Sequence, residues 1–464
     1  MRHPRTVVMK FGGTSVADAD AIARVVGIVR AAQSRFLAPP VVVVSAMSGV
    51  TDRLIALAQA AEHRDAPTVV RGVADLSRRH RDALAALLNR EAPSGVTAAI
   101  DRHLDDLRAL LTATGILRAV SPAAHDAIVS IGELLTSRIV AAALERAGVA
   151  ASWVDARRVI VTDGAHPAAA VLSTETEEAV RREMAPHAGA GHVAVVGGFV
   201  GATTQGVTTT LGRGGSDYSA AIIGAAIRAH EIQIWTDVDG MLTADPRVVA
   251  GTQVVPRLSF AEASELAYFG AKVLHPSTIL PAMADDIPVR ILNSRRPDAA
   301  GTLITAAPAT RDLPLAAVAC KRNVTMVEIT STRMLMAHGF LRRVFEAFER
   351  HRTAVDVVTT SEVSVSVTVD DDARLEGIAA ALREFAGVNV EAHLAILCAV
   401  GDNLRSDPAI AGRVITALAG FPMRMLSQSA SRRNITVVVR ESDLAAGMAA
   451  LHEEFFLATS GAGR

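Results

Sequence analysis

The chain has 464 residues, half of them apolar, and a formal net charge of −1. This length exceeds what one ordinary hydrophobic core needs and predicts two or more domains. The near-neutral charge argues against nucleic acid or an anionic membrane as a partner. Apolar runs such as Val41–Val44 are far too short to cross a membrane, and we expect neither a membrane span nor a signal peptide.

The two cysteines, Cys320 and Cys398, each lie within an apolar run. Cysteines in such surroundings usually behave as small buried hydrophobic residues. We therefore expect reduced thiols and a cytoplasmic, globular protein.

The first part of the chain alternates strand and helix patterns. Strands are predicted at Thr6–Met9 and Val41–Ser45, and helices at Ala19–Ala32 and Asp52–Ala61. Residues 62–147 are predicted to be almost entirely helical, with breaks near Pro93 and Pro122. Later strands are predicted at Ala151–Val154, Val159–Val161, Val193–Phe199, Glu231–Thr236 and Val289–Leu292. This alternation predicts an α/β fold with a mainly parallel sheet sandwiched by helices.

A loose segment at 305–314, TAAPATRDLP, is typical of a linker and ends a predicted first domain of residues 1–304. The remaining chain repeats the order strand, loop, helix, strand, strand, with amphipathic helices at Arg374–Phe385 and Leu444–Phe456. We interpret 315–388 and 389–464 as two copies of a split βαβ unit, which are free to interleave. The alternative is chance similarity between two α+β stretches.

Three predicted strand-to-helix turns combine glycine with hydroxyl or basic residues. The first, KFGGTS, places Lys10 before two glycines, and its amides are suited to cradle an anion. The alternative is a tight turn with a surface lysine. The second, SAMSGVTD, carries Ser45 and Thr51; here the alternative, Thr51 as a helix N-cap, is favoured when the turn is considered alone. Loops that end parallel strands meet at one edge of the sheet, so these turns are expected to share a crevice.

The third turn, GRGGSD, sets Arg213 between glycines, where its guanidinium is free to bind a carboxylate or phosphate. The alternative is that Ser216 or Asp217 simply caps the next helix. A further stretch, TDVDGMLTADPR, holds three aspartates, and we favour a hairpin turn at Asp239–Gly240 over a metal site. Lys10, Lys272 and Arg213 together suit a polyanion such as a triphosphate.

Seven motifs follow one another between Lys10 and about residue 440: KFGGTSV, VVSAMSGVTD, GELLTS, TTTLGRGGSDYSAA, WTDVDGMLTADPR, FAEASELAYFGAKVLHP and TTSEVSVSVTVD. This ordered set closely resembles that of the aspartate kinases, and specifically the monofunctional, lysine-sensitive branch without a homoserine dehydrogenase half. It implies an amino-acid-kinase fold followed by two α+β, ferredoxin-like ACT domains. It also implies transfer of the γ-phosphoryl group of MgATP to the β-carboxylate of L-aspartate. The product, 4-phospho-L-aspartate, opens lysine, threonine and methionine biosynthesis.

The resemblance also implies roles for individual residues. The implied catalytic residues are Lys10, Arg213 and Asp217. Aspartate would contact Ser45, Thr51, Glu133, Arg213, Gly214, Gly215, Ser216 and Asp217. ATP would contact Lys10, Phe11, Gly12, Gly13, Thr236, Asp237, Leu242, Arg247, Lys272 and Val273. A carboxylate acceptor is already ionised at neutral pH, so no general base is needed, and Mg²⁺ is expected to arrive with ATP rather than in a protein site.

The implied allosteric inhibitor is lysine, or alternatively threonine. Its pocket would be formed by Met334, Gly339, Phe340, Leu341, Val355, Asp356, Thr360, Ser361 and Glu362. Asp356 and Glu362 suit a cationic side chain, although solvated loop carboxylates are the alternative. Pairing of ACT domains across subunits implies a homodimer or a dimer of dimers.

The chain departs from the family pattern at two positions. Leu242 stands where the family often has tyrosine, which removes a stacking surface near the nucleotide. Ala337 stands where the lysine-sensitive branch usually has serine, within the effector pocket. Two other functions remain open at this point: a kinase with a different amino-acid acceptor, and a non-catalytic amino-acid sensor on the same fold. The intact set of Lys10, Arg213, Asp217 and Lys272 argues against the sensor.

Overall fold

The computed structural model describes residues 6–36, 38–89, 94–270, 274, 276–307, 313–331, 338–402, 404–428 and 432–457, with only the backbone at 94, 276 and 277. The chain divides into two compact units. Unit 1 comprises Met1–Met241 and Val273–Ala306, and unit 2 comprises Leu242–Lys272 and Ala307–Arg464. Residues 242–272, which the sequence places in the predicted domain 1–304, therefore pack with the C-terminal part of the chain.

The secondary structure alternates between strands and helices in unit 1 and is mixed in unit 2. The strands are β1 (Val7–Phe11), β2 (Val41–Val44), β3 (Ala151–Val154), β4 (Val161–Thr162), β5 (Val193–Gly197), β6 (Val200–Thr203), β7 (Thr208–Thr210), β8 (Glu231–Thr236), β9 (Arg257–Ser259), β10 (Val289–Asn293), β11 (Thr302–Thr305), β12 (Ala317–Thr330), β13 (Val358–Thr360), β14 (Ser364–Val369), β15 (Gly387–Val400), β16 (Met425–Gln428) and β17 (Asn434–Arg440). The helices are α1 (Ala19–Arg35), α2 (Val50–Glu62), α3 (Ala66–Leu87), α4 (Ser94–Leu117), α5 (Pro122–Arg146), α6 (Ser173–Gly189), α7 (Gly215–Ala226), α8 (Phe260–Tyr268), α9 (Leu280–Ala284), α10 (Phe340–Arg350), α11 (Leu375–Arg383), α12 (Pro408–Ala417) and α13 (Leu444–His452).

The main sheet of unit 1 has its strands in the order β3-β5-β2-β1-β8-β10-β11. All neighbours pair in parallel except β11, which is antiparallel to β10. The central strands are buried on both faces, which is why β2 reads as an unbroken run of valines. Helices α1–α5 share a core with one face of the sheet, and α7 packs against the other face. The predicted helix-sandwiched parallel sheet is confirmed.

Helix α5 is the most deeply buried helix of unit 1. By length and composition alone it could span a membrane, but 89% of its most apolar window lies inside the protein. It packs against α2, α4 and the strands β3 and β5. Its apolarity is that of a central core helix.

Unit 2 contains an antiparallel sheet in the order β13-β14-β12-β15-β17-β16. The long strands β12 and β15 pair along most of their length, with register shifts between Lys321 and Met326. One half of the sheet forms a core with α10 and α11, and the other forms a core with α12 and α13. The element order β12-α10-β13-β14-α11 recurs as β15-α12-β16-β17-α13, as the sequence repeat predicts. Each of the two long strands contributes to both halves.

Several local predictions differ from the structure. The predicted strand Val193–Phe199 ends at Gly197, because Phe199 adopts a left-handed φ of 66° and redirects the chain into β6. The predicted strand at 159–161 is present only as the short β4, and the sequence predicts no strand where β6 and β7 lie. The hairpin predicted at Asp239–Gly240 is wrong, since β8 lies in the parallel sheet and the next bridge joins Leu242 to Val254.

Buried histidine His103 makes the stability of unit 1 depend on pH. Its Nε2 accepts a hydrogen bond from Arg138 Nε at 3.0 Å. Burial, together with the positive charges of Arg138 and Arg157, lowers the pKa of His103 to about 4. Because the folded protein favours neutral imidazole, this contribution is present above the ordinary value of 6.5 and is lost as the pH falls towards 4.

We expect His103→Gln to weaken the loss of stability between pH 7 and pH 5, because glutamine accepts the Arg138 hydrogen bond without titrating. The measurement is the urea midpoint of wild type and variant at each pH. Exposed His63 provides the control, and His63→Gln should follow wild type. An identical pH dependence for wild type and His103→Gln would contradict the prediction.

Candidate active site

The site lies where the central parallel strands of unit 1 end side by side. Phe11 is in register with Val44 and with Trp235, and Val44 is in register with Gly197. The turns that leave these strands therefore emerge at one edge of the sheet. With the first turns of α2 and α7 they enclose a cleft of about 560 Å³ within unit 1.

Lys10 and Asp217 join the first and third turns. Lys10 is the penultimate residue of β1, and Asp217 lies in the first turn of α7. Lys10 Nζ is 2.6 Å from Asp217 Oδ1. The two groups form an ion pair, but their angles do not meet the geometry of a hydrogen bond. Both side chains are largely buried. The structure thus brings together two of the three predicted catalytic residues, which are 207 positions apart by number (217 − 10).

The second turn runs from Ser45 to Gly49 and leads into α2. Gly49, with a φ of 75°, is the N-cap of this helix and supplies no side-chain bond. Thr51 is therefore the second residue of α2 rather than its cap, and its side chain lines the cleft with Ser45. The capping interpretation of Thr51 is wrong.

The third turn presents Arg213 to the cleft. Gly212 and Gly214 flank it with φ values of 73° and 72°, a left-handed conformation that residues with a side chain rarely adopt. Among the residues that the structure describes, Arg213 has no hydrogen bond or ion pair, and it is exposed at the cleft wall. Gly214 is the N-cap of α7, so neither Ser216 nor Asp217 caps this helix.

Glu133 is a buried carboxyl group that faces the cleft from α5. Its residue is only 3% exposed, and its Oε2 has no hydrogen-bond partner among the described residues. Burial raises the pKa of Glu133 to about 8. Gly132 lets α5 approach closely, because a Cβ there would lie 2.8 Å from Ala46 Cβ. A buried carboxyl oxygen without a partner, beside a cleft, suits a cationic ligand group.

The residues predicted to bind the nucleotide are divided between the two units. Phe11, Gly12, Gly13, Thr236 and Asp237 belong to unit 1, and all but Phe11 line the cleft. Leu242 and Arg247 belong to unit 2, where Arg247 pairs with Asp245 at 2.7 Å. Lys272 and Val273 lie outside the described residues.

Two of the three aspartates after β8 are engaged by neighbouring side chains. Asp239 accepts hydrogen bonds from Asn293 and Arg296, and Asp245 is engaged by Arg247. Within the described ranges, no group of three or more histidine, cysteine, aspartate or glutamate residues could hold a metal ion.

The predicted effector residues lie in unit 2. The side chain of Asp356 is only 3% exposed, and its Oδ1 accepts hydrogen bonds from Tyr268 at 2.8 Å and Lys321 at 2.7 Å. Lys321 also pairs with Asp370 at 2.7 Å. Although burial opposes its charge, these hydrogen bonds raise the pKa of Lys321. Asp356 Oδ2 is buried without a hydrogen-bond partner in the described part of the chain.

The other predicted effector residues that the structure describes lie around the same half of the unit 2 sheet. Phe340 and Val355 pack in the core of α10 and α11. Gly339, with a φ of 83°, precedes α10. Leu341, Thr360, Ser361 and Glu362 are exposed, and Met334 and Ala337 lie outside the described residues.

Sequence reasoning missed several residues that line the cleft: Thr14, Ala46, Met47, Ser48, Gly49, Asp52, Phe199 and Gly212. Most of them lie in or beside the three glycine turns that the sequence identifies, so proximity to these turns in the chain could have indicated them. Phe199 carried no such signal, because its left-handed φ of 66° and its close contact with Gly215 of α7 arise only in the folded chain.

The fold and the cleft define a class of protein. The family model for the amino acid kinase family matches residues 5–293, and that for the ACT domain matches residues 397–455. The predicted amino-acid-kinase fold with a C-terminal ACT domain is thus confirmed.

Known relatives narrow this class. Lysine-sensitive aspartokinase 3 of Escherichia coli K12 is 38% identical over 97% of this chain and 99% of its own length. Chloroplastic aspartokinase 3 of Arabidopsis thaliana is also 38% identical, over 97% of this chain and 82% of its own. The crystal structure of E. coli aspartokinase III with aspartate and ADP, in the R-state, matches with a TM-score of 0.82 and 36% identity over 97% of this chain and all of that one. The T-state complex with lysine and aspartate matches with a TM-score of 0.80 and 37% identity, over 97% of this chain and 99% of that one. The chain belongs to the aspartokinase family.

Because Glu133 is buried, we expect the stability of the ligand-free protein to depend on pH. Its folded-state pKa is raised from 4.5 to about 8, so the folded protein favours the protonated carboxyl group. This contribution is full below pH 4.5 and is lost as the pH rises through 8. We therefore expect Glu133→Gln to be more thermostable than wild type at pH 9 and closer to it at pH 5.

The readout is the melting temperature of each protein without ligands. Glu145 is exposed on the same helix, and Glu145→Gln should track wild type at both pH values. A constant difference between Glu133→Gln and wild type across this range would show that Glu133 is not buried in its neutral form.

Proposed function

We propose that this chain is an aspartate kinase, which transfers the γ-phosphoryl group of ATP to the β-carboxylate of L-aspartate and yields 4-phospho-L-aspartate. The observation that carries the proposal is that one cleft holds both a carboxyl group suited to an ammonium group and a guanidinium group suited to a carboxylate. Glu133 offers a buried oxygen and Arg213 an exposed guanidinium, both without partners among the described residues. The Lys10 turn lines the same cleft. The relatives of this chain that are named aspartokinases support this assignment, and so does the E. coli structure with aspartate and ADP.

The proposed acceptor is a zwitterion. Glu133 and Asp217 would bind its ammonium group, and Arg213 would bind a carboxylate through two parallel hydrogen bonds. Thr51 and Ser45 would add hydroxyl contacts, and the Gly214–Ser216 segment would add backbone contacts. An ammonium group beside Glu133 favours its ionised form, so substrate binding would reverse the effect of burial on its pKa.

The proposed reaction depends on position and charge rather than on a base. A β-carboxylate oxygen forms a bond to the γ-phosphorus while the bond to the β–γ bridging oxygen breaks. Lys10 and the turn of Phe11–Gly13 would hold the transferring group. Thr236 and Asp237, which line the same cleft, would contact the rest of the nucleotide.

The proposed cofactor is Mg²⁺, bound to ATP. We expect the ion to be held mainly by phosphate oxygens and water. When bound, Mg²⁺ neutralises phosphate charge in phosphoryl transfer.

The proposed regulation is feedback inhibition by lysine through the effector residues Met334, Gly339, Phe340, Leu341, Val355, Asp356, Thr360, Ser361 and Glu362. The relative named lysine-sensitive and the E. coli complex with lysine support this effector. We further propose a homodimer or dimer of dimers through the ACT domains, and a cytoplasmic location. Both cysteines are free, which suits a reducing compartment.

Replacing Lys10 tests the kinase assignment. We expect Lys10→Met, which keeps the apolar stem, to lower kcat by roughly 10²–10³-fold because it removes a charge from the transferring phosphoryl group. The assay traps the acyl phosphate with hydroxylamine as a coloured hydroxamate. The urea midpoint shows whether the variant folds, and lysine binding by calorimetry should persist. Wild type that binds lysine but forms no hydroxamate would instead identify the sensor.

Replacing Asp356 tests the effector assignment. We expect Asp356→Asn to raise the lysine concentration for half-inhibition at least about tenfold, because it removes a buried charge that would pair with the effector. Asp370→Asn is the matched control, since Asp370 shares the Lys321 contact but is far more exposed. Equal effects of both variants on inhibition would place the effector elsewhere.

A further inference from the structure

We propose that Asp126 is a positioning residue for the aspartate-binding turn, and that it acts through Thr210 with His166 as its partner. This inference rests on the proposed function and deepens it. Asp126 does not line the cleft, but it anchors the strand from which the Arg213 turn departs.

Asp126 and Glu133 lie two turns apart on one face of α5, because seven residues span almost two helical turns. Glu133 faces the cleft, whereas Asp126 is 0% exposed. Its Oδ2 accepts hydrogen bonds from the Thr210 amide at 3.1 Å and His166 Nδ1 at 2.6 Å. Its Oδ1 lies 2.8 Å from Thr210 Oγ1 and 3.5 Å from His125 Nδ1.

Thr210 needs this support because β7 is a short edge strand. β7 has three residues and pairs only with β6 in a sheet of order β4-β6-β7. The outward amide of Thr210 is bound by Asp126, and its outward carbonyl accepts a hydrogen bond from Ala169 at 2.9 Å. Without Asp126, the last residue of β7 would carry an unpaired buried amide.

The anchor controls the turn that follows. Thr210 is three residues before Arg213, and the intervening Gly212 has no side chain to restrict its backbone. The segment after His166 also contacts this turn, since a Cβ on Gly212 would lie 3.1 Å from Ala168 Cβ. Asp126 and His166 therefore fix both the strand end and the segment beside it. Helix α5 would in this way set the spacing between Glu133 and Arg213, the two ends of the proposed zwitterion site.

The test is Asp126→Asn, which keeps the size of the side chain. Asparagine offers one acceptor oxygen, whereas the donors around Asp126 in the wild type are shared between two carboxylate oxygens. We expect the KM for aspartate to rise about tenfold while the KM for ATP changes less than about twofold. Asp163→Asn is the matched control, because Asp163 caps the neighbouring loop through Ala165 and Ala170 without touching Thr210. Thr210→Ser should resemble wild type, and Thr210→Val should raise the KM for aspartate.

A second measurement does not depend on turnover. Hydrogen–deuterium exchange of residues 208–217 should be faster in Asp126→Asn than in wild type, with residues 7–17 unchanged. Unchanged exchange at 208–217, or equal rises in both KM values, would overturn the inference and leave Asp126 a purely structural residue. If Asp126→Asn does not fold, Thr210→Val decides by the same two readouts. Absence of aspartate turnover in wild type would overturn the proposed function, while the exchange result would still decide the anchor.

Discussion

The parallel pairing of β1 with β2 and β8 is the constraint on which the candidate site depends. The register aligns Phe11 with Val44 and Trp235, so the turns that follow β1, β2 and β8 emerge together at one edge of the sheet. The Lys10–Asp217 ion pair then joins the end of β1 to the start of α7, which follows β7 of the three-stranded sheet. A shift of one residue in any of these pairings would turn every side chain of the strand to the other face.

Helix α5 gives the cleft its electrostatic character. It is buried along most of its length, and it carries two carboxyl groups into that low-dielectric setting. Asp126 meets its donors inside the protein and remains a structural anchor, whereas one oxygen of Glu133 has no partner among the described residues. The same burial that raises the pKa of Glu133 also strengthens any bond that it forms with a ligand cation. The helix therefore packs through its apolar residues and places one acidic group at the cleft and the other against β7.

In unit 2, the two α+β halves are joined by shared strands. The strands β12 and β15 are long enough to serve both α+β halves, so the halves share a continuous hydrogen-bonded ladder. Asp356 lies under one half and is held by Tyr268 and Lys321, which come from α8 and β12. An ammonium ligand at Asp356 would have to compete with or join these internal donors.

The amino-acid sequence by itself determined the parallel strands, the glycine turns and the repeated C-terminal order, because each depends on local periodicity and turn chemistry. It could not decide that Gly49 and Gly214, rather than Thr51 or Asp217, occupy the N-cap positions, since capping depends on where each helix starts. Only the tertiary structure placed Asp126 against Thr210, brought Tyr268 to Asp356, and left Glu133 Oε2 buried. These contacts join residues far apart in the chain, and their energies depend on burial that no local pattern records.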